Sequence, residues 1–135
     1  MEIKIVMKAI FTSFLVGCLV VFSSFAQTGS MDAVIGALHA GNASELSKYF
    51  DDNVELTMPV KSDSYSKAQA QVIVKDFFAN NGVKNFKFLH KGDAPEGNYC
   101  IGTLQTKSGN FRTTVFMKIK GNKEVVKQIK FQSIE

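Results

Sequence analysis

The chain has 135 residues, 45% hydrophobic, with 16 Lys+Arg against 12 Asp+Glu and a formal net charge of +4. That length suits one domain. So small and scattered a basic excess lacks the clustered face of a nucleic-acid binder, and its two cysteines and two histidines show no zinc-ligand spacing.

The elements begin with a leader. Lys4 and Lys8 precede an apolar run from Ala9 to Val21, and Ser24-Phe25-Ala26 fits a small-x-Ala cleavage site. This is the anatomy of a secretory signal peptide. Residues 1–26 are read as an export signal and residues 27–135 as a single domain destined for the periplasm or cell envelope. Cleavage removes Lys4, Lys8 and Glu2 and leaves 14 basic and 11 acidic residues, a charge of +3. Leu15-Val16-Gly17-Cys18 also resembles a bacterial lipobox, which would anchor the protein through a lipidated Cys18. Against it, Leu19-Val20-Val21-Phe22 stays apolar beyond the cysteine. Cleavage after Ala26 leaves Cys100 alone, so no internal disulfide can form. No later run reaches the ~20 apolar residues of a membrane span.

Ser30 is placed to cap a first helix, Met31 to Ala40, with Val34, Ile35 and Leu38 on one face and Gly41 as its stop. Asn42 opens a second, shorter helix. Glu45 stands three residues on, as in a capping box, and Leu46, Tyr49 and Phe50 form the inner face. Asn53 to Met58 alternates, with Val54, Leu56 and Met58 on one side, and reads as a strand ended by Pro59. Lys61 to Tyr65 is a polar connection. Ser66-Lys67-Ala68-Gln69 is a second capping box. It starts the longest helix, which runs to about Asn80 and stops at Gly82, with Ala70, Ile73, Val74, Phe77 and Phe78 as its apolar stripe.

From Val83 the period switches to two. Strands are predicted over Asn85–Lys91, Asn98–Thr106, Phe111–Lys120 and Val125–Ser133, and their short turns make an antiparallel meander. Phe111, Thr113, Val115, Met117 and Ile119 share a face with Cys100, Gly102 and Leu104. Tyr99, Ile101 and Thr103 share the other with Arg112, Thr114, Phe116 and Lys118. A two-residue turn at Gly121-Asn122 would aim Val125, Ile129 and Phe131 away from the core, because a one-residue slip flips every side chain. A three-residue loop or an equivalent bulge is therefore required. The fold class is α+β: three N-terminal helices packed on a curved antiparallel meander of four to five strands, with Asn53–Met58 a candidate edge strand.

This order of elements resembles the nuclear-transport-factor-2-like superfamily, the cystatin-like cone that includes ketosteroid isomerases. Gly41-Asn42-Ala43 with Leu46-Ser47-Lys48-Tyr49-Phe50, Tyr65-Ser66-Lys67 with Phe77-Phe78, and Phe88-Leu89-His90-Lys91-Gly92 are closer to an exported bacterial family of that fold, domain-of-unknown-function family 4783. Ile101-Gly102-Thr103-Leu104 and Gly109-Asn110-Phe111-Arg112 complete the resemblance. It implies a cone with a pocket between helices and sheet, and no particular activity.

Isomerase chemistry in such a cone needs an inward carboxylate. Glu55 alternates with buried positions, Asp76 lies off the helix stripe, and Asp93 and Glu96 fall in a turn. No catalytic set is assigned. His90 shares its predicted face with Phe86 and Phe88 and is the one candidate base. His39 stands near a helix end, where it complements the dipole. Cys100 reads as a small buried hydrophobe. Tyr49, Tyr65, Phe77 and His90 are the candidate pocket residues, with no metal and no cofactor. The leading reading is a non-catalytic exported binding or accessory module for an apolar small molecule or an envelope protein. The alternatives are a ketosteroid-isomerase-like or hydratase-like enzyme using His90, and a structural homodimer formed through the outer sheet face with Tyr99, Ile101, Arg112 and Phe116.

Overall fold

The computed structural model describes residues 29–134, so the leader, its cleavage site and Cys18 lie outside the described residues. Helix α1 spans Ser30–Ala40. Its N-cap is Gly29, which offers no side chain, and Ser30 is the first helical residue rather than the expected cap. Asp32 in the first turn supplies the favourable charge that a hydroxyl cap would otherwise replace. At the other end Gly41 takes φ 64°. The Asn42 amide then reaches the Ala37 carbonyl at 2.9 Å and that of Gly41 reaches Leu38 at 3.1 Å, a Schellman closure.

Helix α2, Ala43–Ser47, starts on Asn42, whose Oδ1 accepts from the Glu45 amide at 3.1 Å. Only half of the expected box forms, because the Glu45 carboxylate pairs with Lys48 Nζ at 2.8 Å. Helix α3, Lys67–Asn81, carries the full reciprocal box between Ser66 and Gln69 and ends at Gly82 with φ 69°.

Six strands form one sheet: β1 Phe50–Thr57, β2 Ser62–Ser66, β3 Val83–Ala94, β4 Gly97–Thr106, β5 Gly109–Lys120 and β6 Lys123–Ile134. Their spatial order is β2-β1-β6-β5-β4-β3, and every pairing is antiparallel except β1 with β6. The strand count is therefore corrected upward. The polar connection at Lys61 to Tyr65 becomes β2, so β1 is an interior strand and not an edge. The helices do not all precede the sheet, since α3 follows β1 and β2. Strand β2 lies at the sheet edge, where the exposed Ser62, Asp63 and Ser64 need no apolar alternation.

The meander registers hold. Cys100 faces Val115, Gly102 faces Thr113 and Leu104 faces Phe111. The last turn has two residues, with Lys120 opposite Lys123, and the flip is absorbed by a bulge: Phe116 faces Gln128 whereas Met117 faces Val126. Lys127 is the extra residue. Val126 thereby takes the buried place expected for Val125, in line with Ile129 and Phe131. Ile119, expected inward, is 61% exposed. The core lies between the helices and one sheet face, around Val34, Leu38, Leu46, Val54, Leu56, Val74, Leu104, Val115, Ile129 and Phe131.

Candidate functional site

The space between α3 and the sheet is filled with rings. Phe77 lies 5.0 Å from Phe111 and 4.7 Å from Phe131, and Phe78 meets Phe131 edge-on at 6.2 Å, measured between centroids. These geometries are favourable aromatic contacts in their own right. Phe77, expected to line a pocket, is half-buried and packs against the core.

Several clefts among the described residues lie at the rim. One, of ≈ 420 Å³, is bounded by Tyr65, Ala68, Gln69, Val72 and Ile73, where the end of β2 meets the first turns of α3. Its walls are chiefly apolar: Tyr65 and Ile73 rest against the core, and Val72 is 57% exposed. Gln69 is engaged in the cap, its Oε1 accepting from the Ser66 amide. Tyr49 lines a different cleft, of ≈ 340 Å³, with Lys48, Lys123, Glu124 and Val125. A third, of ≈ 430 Å³, sits over the α1–α2 junction between Asn42 and Lys75. The two tyrosines thus serve separate clefts.

His90 does not face the helices. A bulge in β3 inserts Leu89, so that Phe88 faces Gly102 while His90 faces Ile101 on the opposite side of the sheet. The imidazole is exposed and its Nε2 lies 3.3 Å from Tyr99 Oη. The tyrosine ring passes over Gly92, where an added Cβ would meet Oη at 2.7 Å. His39 is exposed in the last turn of α1.

Sequence reasoning passed over Asp51. Its carboxylate has little accessible surface yet lies only one side chain deep, beneath Lys120. Lys120 Nζ donates to Oδ1 at 2.9 Å, and Lys127 Nζ is 3.9 Å from Oδ2. The Lys120 hydrogen bond, opposed by partial desolvation, holds the Asp51 carboxyl below the usual carboxylate range. A general base needs the reverse shift. Asp51 also sits by the β5–β6 turn, at the far end of that hairpin from Phe111 and Phe131. Two adjacent aspartates just before the expected Asn53–Met58 strand were its only signal in the sequence, and both lie within β1. Cys100 is fully buried, and desolvation pushes its thiol up to about 11. Among the described residues no group of three or more His, Cys, Asp or Glu could hold a metal.

A family profile described as "Domain of unknown function (DUF4783)" matches residues 31–132. The chain is similar to the crystal structure of a DUF4783 family protein from Bacteroides ovatus ATCC 8483, at 37% identity and TM-score 0.74, covering 76% of this chain and 94% of that one. A second, from Bacteroides uniformis ATCC 8492, is 36% identical with TM-score 0.76, covering 79% of this chain and 99% of that one. At 8% identity, an NTF2-like protein of unknown function from Cytophaga hutchinsonii ATCC 33406 shares the fold alone, with TM-score 0.56 over 77% of this chain and 86% of that one. No curated protein matches.

Proposed function

We propose, for a chain that belongs to the DUF4783 family, a non-catalytic binding module that is exported through residues 1–26 and takes an apolar group into the Tyr65–Val72–Ile73 groove. The observation that carries this reading is where apolar surface remains open. Phe78, Phe111 and Phe131 fill the interior with Phe77 packed against them, whereas the groove leaves Val72 exposed and Ile73 half-buried beside Tyr65. An apolar lining with one polar handle suits a small ligand or the side chain of an envelope protein. The isomerase-like alternative loses its support, because His90 lies on the outer sheet face and Asp51 is an ionised partner of lysine.

The test uses N-phenyl-1-naphthylamine, an uncharged apolar dye. Saturable fluorescence enhancement is expected with the folded protein and is abolished in Val72→Glu, whose exposed site leaves the melting temperature unchanged. A response equal in both proteins, or none in the wild type, ends the groove reading. Export is tested separately by intact mass after expression in a bacterial host: a mature start at Gln27 supports it, and retention of residues 1–26 refutes it.

A further inference from the structure

The sheet face turned away from the helices has an organised surface. Its registers define rows across the strands. Lys87 faces Thr103, which faces Arg112, which faces Gln132. In the next row His90, Ile101, Thr114 and Lys130 stand side by side, and in the third Gly92, Tyr99, Phe116 and Gln128. Lys118 lies beyond them opposite Val125. Ile101, Tyr99 and Phe116 thus form a half-buried apolar centre, framed by Lys87, Arg112, Lys118 and Lys130. None of these four cations has a carboxylate of the described residues within salt-bridge distance. The register places Glu55 of β1 on this face opposite Gln128, and Lys120, two residues beyond Lys118, is already paired with Asp51 and Asp52.

The centre is also pre-ordered. The Tyr99 and Phe116 rings are stacked at 6.5 Å with an interplanar angle of 5°. Tyr99 is held further by His90 Nε2 and by the room over Gly92. Rings fixed before binding lose little conformational freedom on contact. An apolar, aromatic centre inside a charged rim is the anatomy of a protein-binding surface.

We propose that this face docks an acidic polypeptide that presents an apolar side chain between carboxylates. Charge decides the occupant. A second copy of this chain, related by a two-fold axis, would set four cations against four, relieved by one Glu55 from each copy. A like-charge juxtaposition of that kind disfavours association. An acidic partner meets the same four cations with opposite sign and leaves the rings for its apolar side chain. This surface is on the opposite side of the sheet from the Tyr65 groove, and the inference stands without that reading.

The probe is a fluorescein-labelled peptide of alternating Glu and Phe, followed by anisotropy with the purified full chain. Binding is expected, weakening as salt rises because the rim charges are screened. Arg112→Glu combined with Lys130→Glu is expected to cost about tenfold or more in affinity. Phe116→Ala should also weaken binding, whereas Lys75→Glu on α3 should not, with every melting temperature measured alongside. Absence of peptide binding overturns the proposal, as does equal binding by wild type and the double variant. Tighter binding of a heparin fragment than of the peptide assigns the face to polyanions generally and overturns it too. So does a dimer in sedimentation that Phe116→Ala dissolves. Val72→Glu should leave the peptide affinity intact, which separates failure of this surface from failure of the groove.

Discussion

Single residues show how little freedom the inner sheet face has. Gly102 lies mid-strand in β4, where an added Cβ would meet the Lys87 carbonyl oxygen and Phe86 Cε1, each at 2.7 Å. The glycine leaves room for the buried Phe86 ring to reach over the neighbouring strand. Gly102→Ala is expected to destabilise the protein by about 1–3 kcal/mol, the usual cost of overpacking, measured by urea denaturation. No loss of stability would mean that Phe86 can repack. Cys100 beside it is an inert hydrophobe, not a nucleophile. With its thiol pushed up to about 11 and no accessible surface, it should resist a disulfide reagent at pH about 8, below the ordinary thiol value. Reaction should appear only with unfolding. Rapid modification of the native protein would refute this burial.

At the scale of elements, the sequence was most legible where period and cap agreed. Ser66 and Gln69 form the reciprocal box that their spacing foretold, because both partners lie on one exposed turn with nothing competing for them. Ser66→Ala should cost about 1 kcal/mol, and Gln69→Ala less, in thermal unfolding followed by circular dichroism. Equal melting temperatures for Ser66→Ala and wild type would show that tertiary packing alone fixes this start. Two kinds of feature escaped. An edge strand such as β2 buries no continuous face, so it leaves no alternation to read; its register comes from β1, with Tyr65 opposite Val54. A bulge is equally silent unless a known core residue would otherwise point the wrong way. The β6 bulge could be inferred because Ile129 and Phe131 had to turn inward. The β3 bulge could not, because His90 has no obligatory side. That one inserted residue, Leu89, moved the candidate base out of the interior.

The whole molecule depends on how its two halves of sheet meet. The meander β3–β6 is built from local hairpins, but β1 joins β6 in parallel across a long sequence separation, with an irregular register between Phe50 and Glu55. The Tyr49 carbonyl accepts from the Val126 amide at 2.6 Å just before that join, and Asp51 clamps it to Lys120 and Lys127. The folded Asp51 carboxyl titrates below its unfolded value, so its contribution is present above about pH 4 and is lost as pH falls through the lower, folded value. Because Lys120 and Lys127 are themselves 51% and 39% exposed, solvent and salt screen the pair. The contribution is about 1 kcal/mol at most. Asp51→Asn should therefore lower the unfolding free energy by about that amount near pH 7, with the gap to wild type closing as the pH is taken below about 4 and narrowing in high salt. A gap of constant size from neutral to acid pH would mean that Asp51 holds β1 through its hydrogen-bonding shape rather than its charge, and the electrostatic account of the join would fail.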